Sequence, residues 1–378
     1  MSALYLHIPF CRTRCIYCDF HSGIDASLQE RYVEALCIEA SMRAHELPSA
    51  TETLYLGGGT PTQLSPALLH RLFSGIARHI EIGDCTETTI ECNPDDLTSI
   101  YIEALTQLPI NRISMGVQSF SDTDLRFLRR RHTSQAAIDA VKRCQKAGFG
   151  NISIDLIYAL PGQTLEQWQR NINTAIDLGI QHISAYALTY EEGTALYTLR
   201  QNGSVKECDD ELSLAMYETL IDRLQAAGFE QYEISNFALP GYHSRHNSSY
   251  WQNIPYLGLG AAAHSYDGLC RRYNPRDTML YIKSMEAYRC CYAEEHLSTN
   301  DRFNDMLLTR LRMRHGINCD TVRASFGDEL SRYLLQQATP YLRQGCMEYD
   351  APYLRIARRG IFISDSIIAD LFHIDKNA

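Results

Sequence analysis

The residues with the plainest chemical meaning in this sequence are three cysteines near its start. A short apolar run, Leu4-Tyr5-Leu6-His7-Ile8-Pro9-Phe10, leads directly into Cys11, Cys15 and Cys18, spaced C-x3-C-x2-C. Cysteine thiolates hold iron–sulfur clusters, and a cubane cluster has four irons. Three thiolates leave one iron without a protein ligand, free to chelate the amino and carboxylate groups of a small molecule. A mononuclear zinc site is the competing reading. Structural zinc takes four Cys/His ligands, and His21 offers a fourth. A disulfide framework is the weakest alternative. The 13 cysteines are odd in number, scattered through a chain of 378 residues, and follow no basic leader or signal-like apolar stretch. They read as reduced cytosolic thiols, mostly small buried hydrophobes.

The pattern around these cysteines says what must position them. Strand-like runs at 4–8, 53–56, 88–92, 112–117, 151–157 and 182–188 alternate with helix-like amphipathic segments. The helical segments fall at 27–43, 66–80, 98–105, 121–128, 134–147 and 165–178. Six β-then-α units with short connections imply right-handed crossovers and a parallel sheet. Six units do not close an eight-stranded barrel. The expected fold class is therefore α/β, an open, partial (β/α)6 TIM-like barrel. In such sheets chemistry gathers at the carboxyl ends of the strands, and the three cysteines follow the first of them.

Polar residues recur at the other strand ends. Gly57-Gly58-Gly59-Thr60-Pro61-Thr62 follows the second strand; glycines there let backbone groups approach a ligand closely, though a plain tight turn is the simpler reading. Glu91 closes the third, where an acid can hydrogen-bond ribose hydroxyls. Gln118 ends the fourth, Arg130 lies twelve residues on and suits a carboxylate, and Asp155 sits in the fifth. Singly, each reads as an ordinary structural group; together, beside the cysteine loop, they mark a site.

Beyond residue 188 the pattern changes. Residues 210–227 read as a helix stopped by Gly228, and 229–237 alternates like a strand. The last portion has helical stretches at 301–314 and 330–344 and a short final helix for which Ser364 reads as N-cap. The division expected is a barrel over 1–190, a barrel extension over 191–297 and a small, mostly helical C-terminal domain over 298–378. A net charge of −10 gives no reason to expect a nucleic-acid partner. No apolar run reaches the length of a membrane span.

The three-cysteine spacing after a first strand resembles the hallmark of the radical S-adenosylmethionine superfamily. The stretch 5–18, the glycine run, Glu91, Gln118, Arg130 and Asp155 together are similar to its oxygen-independent coproporphyrinogen oxidase branch, over almost the whole chain. That resemblance implies a [4Fe-4S] cluster on Cys11, Cys15 and Cys18, with S-adenosylmethionine on the open iron. It implies a cofactor site lined by Tyr5, Gly58, Gly59, Thr60, Glu91, Gln118, Arg130 and Asp155, with Tyr17 packed near the cluster.

Two departures separate the chain from the oxidases. Phe20 stands where they carry a further cysteine, and their segment ahead of the first strand has no counterpart. Both features, and His246-Asn247-x-x-Tyr250-Trp251, resemble the HemW-type haem chaperones instead. That implies haem as cargo, His246 as its axial ligand, and delivery to apo-haemoproteins such as respiratory cytochromes. Taken alone, His246 reads as a loop cap and Trp251 as core. The resemblance is compatible with a cluster-dependent homodimer, an electron donor if the cofactor is cleaved, and a cytoplasmic protein that meets clients at the membrane surface. It leaves open whether the chain is an enzyme. The alternative is a coproporphyrinogen III dehydrogenase; a radical methyltransferase would leave the His246–Trp251 signature without a reason.

Overall fold

The computed structural model describes residues 2–374. Six strands run parallel in chain order: β1 (Ser2–Ile8), β2 (Thr51–Gly58), β3 (Glu87–Cys92), β4 (Arg112–Gln118), β5 (Ile152–Tyr158) and β6 (His182–Ala187). Between them lie α1 (Gln29–Arg43), α2 (Pro66–Ile76), α3 (Ser99–Leu105), α4 (Asp122–Phe127), α5 (Ser134–Lys146) and α6 (Leu165–Asp177). The helix starts are chemically marked. Ser65, Thr98, Ser121, Thr133 and Thr164 each accept a backbone N–H of the first turn, satisfying donors with no intrahelical partner.

The two faces of this sheet differ sharply. Leu4, Leu6, Leu54, Leu56, Ile90, Ile113, Met115, Ile154 and Ile183 belong to one apolar core with the helices. Each such side chain, fully buried, is worth about 1.5–3 kcal/mol. The alternate positions carry Tyr5, Tyr55, Glu91, Arg112, Asp155 and Ser184. Period-two alternation sends these to the other face, so the sheet curls around a polar lumen.

The second part of the chain builds onto this sheet. It contributes α7 (Ala195–Gln201), α8 (Asp210–Ala226), β7 (Glu230–Gln231), β8 (Asn236–Ala238), α9 (Arg245–Trp251), β9 (Tyr256–Leu259), β10 (His264–Tyr266), β11 (Cys270–Tyr273), α10 (Thr278–Glu286) and β12 (Ala293–His296). The order across the sheet is β12-β11-β10-β9-β1-β2-β3-β4-β5-β6-β8-β7. β9 pairs parallel with β1, and β8 antiparallel with β6. Among the described residues no pairing joins the outer strands β12 and β7, so the barrel stays open. The single strand expected over 229–237 is instead two short strands around a turn. Glu233 is buried in that turn and accepts from Ser235 N at 3.0 Å, which breaks the ladder.

The extension is bolted to the barrel by a buried carboxylate. Glu39 of α1 accepts from Gly260 N (2.8 Å), Tyr281 Oη (2.7 Å), Asn274 Nδ2 (2.8 Å) and Arg43 Nη1 (2.8 Å). The C-terminal part has its own core, with Phe303, Leu307, Leu334, Leu354 and Ile367. Its helices are α11 (Thr299–Arg310), α12 (Cys319–Arg343, kinked at Gly327) and α13 (Ser364–Asp370). They pack with an antiparallel sheet of β13 (Ile317–Asn318), β15 (Tyr353–Ile356) and β14 (Met347–Asp350), a component beyond the helical expectation. Ser364 is not an N-cap. A 3-10 turn over Arg358–Ile363 runs straight into α13, and Ser364 already has helical φ −58 and ψ −39.

Replacing Glu39 strands the donors it gathers. Glu39→Ala is expected to lower stability by about 3–5 kcal/mol, read as a reduced urea midpoint.

Candidate functional site

The cysteine loop is closed at its neck by backbone hydrogen bonds, Cys11 N to Gly23 O (2.8 Å) and Gly23 N to Pro9 O (2.7 Å). A side-chain brace reinforces it. His7 Nε2 lies 2.9 Å from His21 O, and a carbonyl only accepts, so Nε2 carries the proton. His7 Nδ1 then accepts from Tyr5 Oη at 3.0 Å. Burial holds the His7 pKa down at about 4, so the ring is neutral. Leu196 N donates to Ile16 O at 2.9 Å, tying the loop tip to α7.

All thirteen cysteines are free thiols. Cys11, Cys15 and Cys18 are half-buried at the wall of a cavity of about 710 Å³. Burial, with the neighbouring thiolates of Cys15 and Cys11, pushes Cys18 up to about 11. Three cysteine sulfurs at one cavity wall suit a cationic metal guest. A single zinc ion needs its ligand atoms within about 4 Å of one another, given bonds of about 2.0–2.3 Å. Among the described residues, Cys11, Cys15, Cys18 and His21 supply no set of three ligand atoms all within 4.8 Å. His21 Nε2 instead lies 3.0 Å from Thr278 Oγ1. The spread suits a multi-iron cluster.

Around this loop the strand ends converge. Gly58 has φ +112, and a Cβ there would meet the His7 ring at 2.6 Å. A Cβ on Gly59 would meet Phe10 O at 2.9 Å. The glycine run therefore lets β2 lie against the loop. Thr60 Oγ1 lies 3.6 Å from Cys11 Sγ and accepts from Asn93 Nδ2 at 3.1 Å. Glu91 accepts from Tyr55 Oη (2.8 Å) and Gly58 N (3.1 Å), yet burial still lifts its pKa to about 7. Burial likewise raises Asp155 to about 6.

Gln118 has φ +69 at a register shift in β4, a left-handed conformation that a glutamine adopts only under constraint. Arg130 is held by the protein through two of its nitrogens, while its buried Nε, at the same cavity wall, has no partner. Nη1 donates to Cys15 Sγ at 3.3 Å and Nη2 to Gly116 O at 2.6 Å, so a fixed cation stands beside the sulfurs. Tyr17 packs with Leu128 and Ile157 and hydrogen-bonds Cys15. Gly58, Gly59, Thr60, Glu91, Gln118, Arg130 and Asp155 all line the one cavity with the cysteines. Tyr5 acts behind that wall, through His7.

The structure places His246, expected as the haem ligand, inside the protein. The residue is 0% exposed, with Nδ1 2.9 Å from Thr53 Oγ1 and Nε2 2.8 Å from Tyr250 Oη. Its ring stacks on Tyr55 at 4.9 Å, and burial lowers its pKa to about 3. Both nitrogens are hydrogen-bonded within the protein, and haem ligation by His246 would require one of those bonds to open. The surrounding signature is a plug instead. Glu87, at the start of β3, receives Arg245 N (2.8 Å) and His246 N (2.9 Å), seating α9 under the amino ends of the strands. Tyr250 packs edge-on against Tyr256, and Arg312 lies over the Trp251 ring.

Tyr55, Asn93, Arg112 and Tyr186 also line the cavity and went unremarked in the sequence. Their signal was faint but present, as polar or aromatic groups at alternate positions of otherwise apolar strands.

Fold and cavity together define a radical SAM protein. The radical SAM superfamily profile matches residues 5–175, and the HemN C-terminal domain profile matches 297–363. The structure of coproporphyrinogen III oxidase (HemN) from Escherichia coli is similar with a TM-score of 0.84 at 21% identity, covering 98% of this chain and 90% of that one. Within the superfamily the chain belongs to the HemW group. It is 33% identical to the heme chaperone HemW of Lactococcus lactis, covering 100% of this chain and 98% of that protein. The Bacillus subtilis heme chaperone HemW is 36% identical, over 87% of this chain and 88% of that one.

His246→Ala leaves the Thr53 and Tyr250 hydroxyls buried without a partner and opens a void under Tyr55. A stability loss of about 2–4 kcal/mol is expected, measured by chemical denaturation, with iron content after anaerobic reconstitution unchanged.

Proposed function

We propose that this protein is a haem chaperone that binds haem and passes it to apo-haemoproteins, carrying a [4Fe-4S] cluster and S-adenosylmethionine. The carrying observation is the similarity to heme chaperones HemW of two bacteria, at 33% and 36% identity along 100% and 87% of this chain. Phe20 supports it. The residue is 62% exposed beside the cysteine loop and offers an apolar surface where an oxidase has a thiol.

Cys11, Cys15 and Cys18 would hold the cluster, with Arg130 as a fixed positive charge against Cys15. The cluster supplies a redox-active metal centre with one iron that the chain does not ligate. The chain's own residues do the rest. The backbone at Gly58 and Gly59 comes close enough to seat an amino-acid ligand. Glu91, titrating near neutrality, accepts from or donates to ribose hydroxyls. Gln118 and Asp155 close the far wall. The plug at His246 keeps solvent from entering through the strands' amino ends. In this reading the protein works in the cytoplasm; no helix of the described residues is long and apolar enough to cross a membrane.

Anaerobically reconstituted protein is expected to give a Soret band on haem titration and to transfer that haem to an apo-cytochrome. Conversion of coproporphyrinogen III to protoporphyrinogen with consumption of S-adenosylmethionine would overturn the chaperone reading in favour of the dehydrogenase. Cys11→Ala, Cys15→Ala and Cys18→Ala are each expected to lose the broad visible absorption of the cluster; an unchanged spectrum in all three places the ligands elsewhere.

A further inference from the structure

Arg112 has no part in the cofactor site described above. It opens β4, is 1% exposed, and still lines the cavity that contains Glu91 and Asp155. Two of its nitrogens, Nε and Nη1, are buried without a hydrogen-bond partner. Among the described residues no carboxylate lies within 4.0 Å to form an ion pair with it. Buried arginine elsewhere in this fold is treated differently. Arg43 is held by both Glu39 and Glu46. The Arg112 charge acts on Glu91 and Asp155 and draws their pKa values down against burial, but neither carboxylate meets it in a close ion pair, so two of its buried donors stay open.

We propose that Arg112 forms the floor of a carboxylate subsite in the barrel lumen, and that the carboxylate it receives is a propionate of the haem cargo. The inference rests on the haem-chaperone reading. Guanidinium is the side chain best shaped for carboxylate recognition, and in a dry site it is worth most. Glu91 and Asp155 would repel a second carboxylate if both were fully charged. Burial raises both, to about 7 and about 6, so a third carboxylate brought beside them, which raises them further, is met by proton uptake rather than by two full charges. The rest of the cavity suits the rest of a porphyrin. Phe20, Tyr186 and Phe362 line it and are 62%, 44% and 38% exposed, aromatic surface for a flat apolar ring. With His246 sealed in the plug, the lumen also gives the cargo a location that the signature helix does not.

The test uses cluster-loaded protein under anaerobic conditions, titrated with haem and with haem dimethyl ester, whose propionates are blocked. The unaltered protein is expected to bind haem about tenfold more tightly than the diester, or about 1.4 kcal/mol. Arg112→Met, which keeps the side chain's bulk without its charge, is expected to bring that ratio close to one while leaving diester affinity unchanged. Arg112→Lys, which keeps the charge, should retain part of it.

Equal binding of haem and diester by the unaltered protein overturns the propionate assignment, and does so without any variant. A tenfold preference that survives in Arg112→Met overturns the role of Arg112. If neither porphyrin binds, the haem reading itself has failed. A further arm with L-methionine then judges the subsite alone. A rise in melting temperature for the unaltered protein but not for Arg112→Met keeps a carboxylate site with an amino-acid source; no rise in either rejects it.

Discussion

The organisation of this molecule depends on the closure of one loop. Cys11 N and Gly23 N exchange hydrogen bonds with Gly23 O and Pro9 O, so the chain leaves β1 and returns to nearly the same point. Between those anchors lie the three thiols. The closure constrains what surrounds it. β2 must end in residues without a Cβ, because Gly58 and Gly59 lie against the His7 ring and the backbone at Phe10. His7 must be neutral and of one tautomer to hold His21 O while accepting from Tyr5. A loop of this length, left free, would spread its sulfurs over many arrangements; the neck and the brace remove that freedom before any ligand arrives.

A second constraint comes from the sheet. A parallel sheet is usually apolar on both faces because helices cover both. Here helices cover only the outer face, and the inner face carries carboxylates, arginines, tyrosines and histidines. Groups of that kind are stable at such depth only if they are hydrogen-bonded, paired, or shifted in pKa. All three outcomes are present. In the bottom layer several groups are satisfied internally, with Glu87 capping α9, His246 held by Thr53 and Tyr250, and His182 by Ser153 and Tyr232. The middle layer is shifted, in Glu91 and Asp155. Arg112 is left with two buried nitrogens unpaired, and Arg130 and Arg312, which line the same cavity, with one each.

The signature His246-Asn247-x-x-Tyr250-Trp251 shows how a motif can be informative about kinship while leaving its structural setting unstated. A histidine beside two aromatics suits haem ligation and ring stacking in equal measure to a packed helix. Which it does depends on whether its nitrogens face solvent or protein. Their partners, Thr53 and Tyr250, are brought together only by the seating of a seven-residue helix beneath the strands. Sequence spacing carries no information about that seating. The strand expected over 229–237 and the cap expected at Ser364 miss for a related reason. Alternation and cap residues describe local preference, while a buried Glu233 and a continuous turn into α13 were selected by tertiary packing.

Much was nonetheless legible in one dimension. The six strands and their helices follow from hydrophobic period and capping chemistry, which are local and survive translation into three dimensions. The cysteine spacing carries the cluster reading because ligand number and separation are properties of a short segment. The glycine run, Glu91, Gln118 and Asp155 could be marked because a parallel strand always delivers its carboxyl end to the same rim. What the tertiary structure alone decided is which of the many polar side chains are left wanting a partner. That is a question of who stands next to whom across the lumen. It depends on strand order, on β9 joining the sheet beside β1, and on the plug below. For this reason His246 is found as a buried support of the plug, and Arg112, silent in the sequence, is found with two buried nitrogens unpaired.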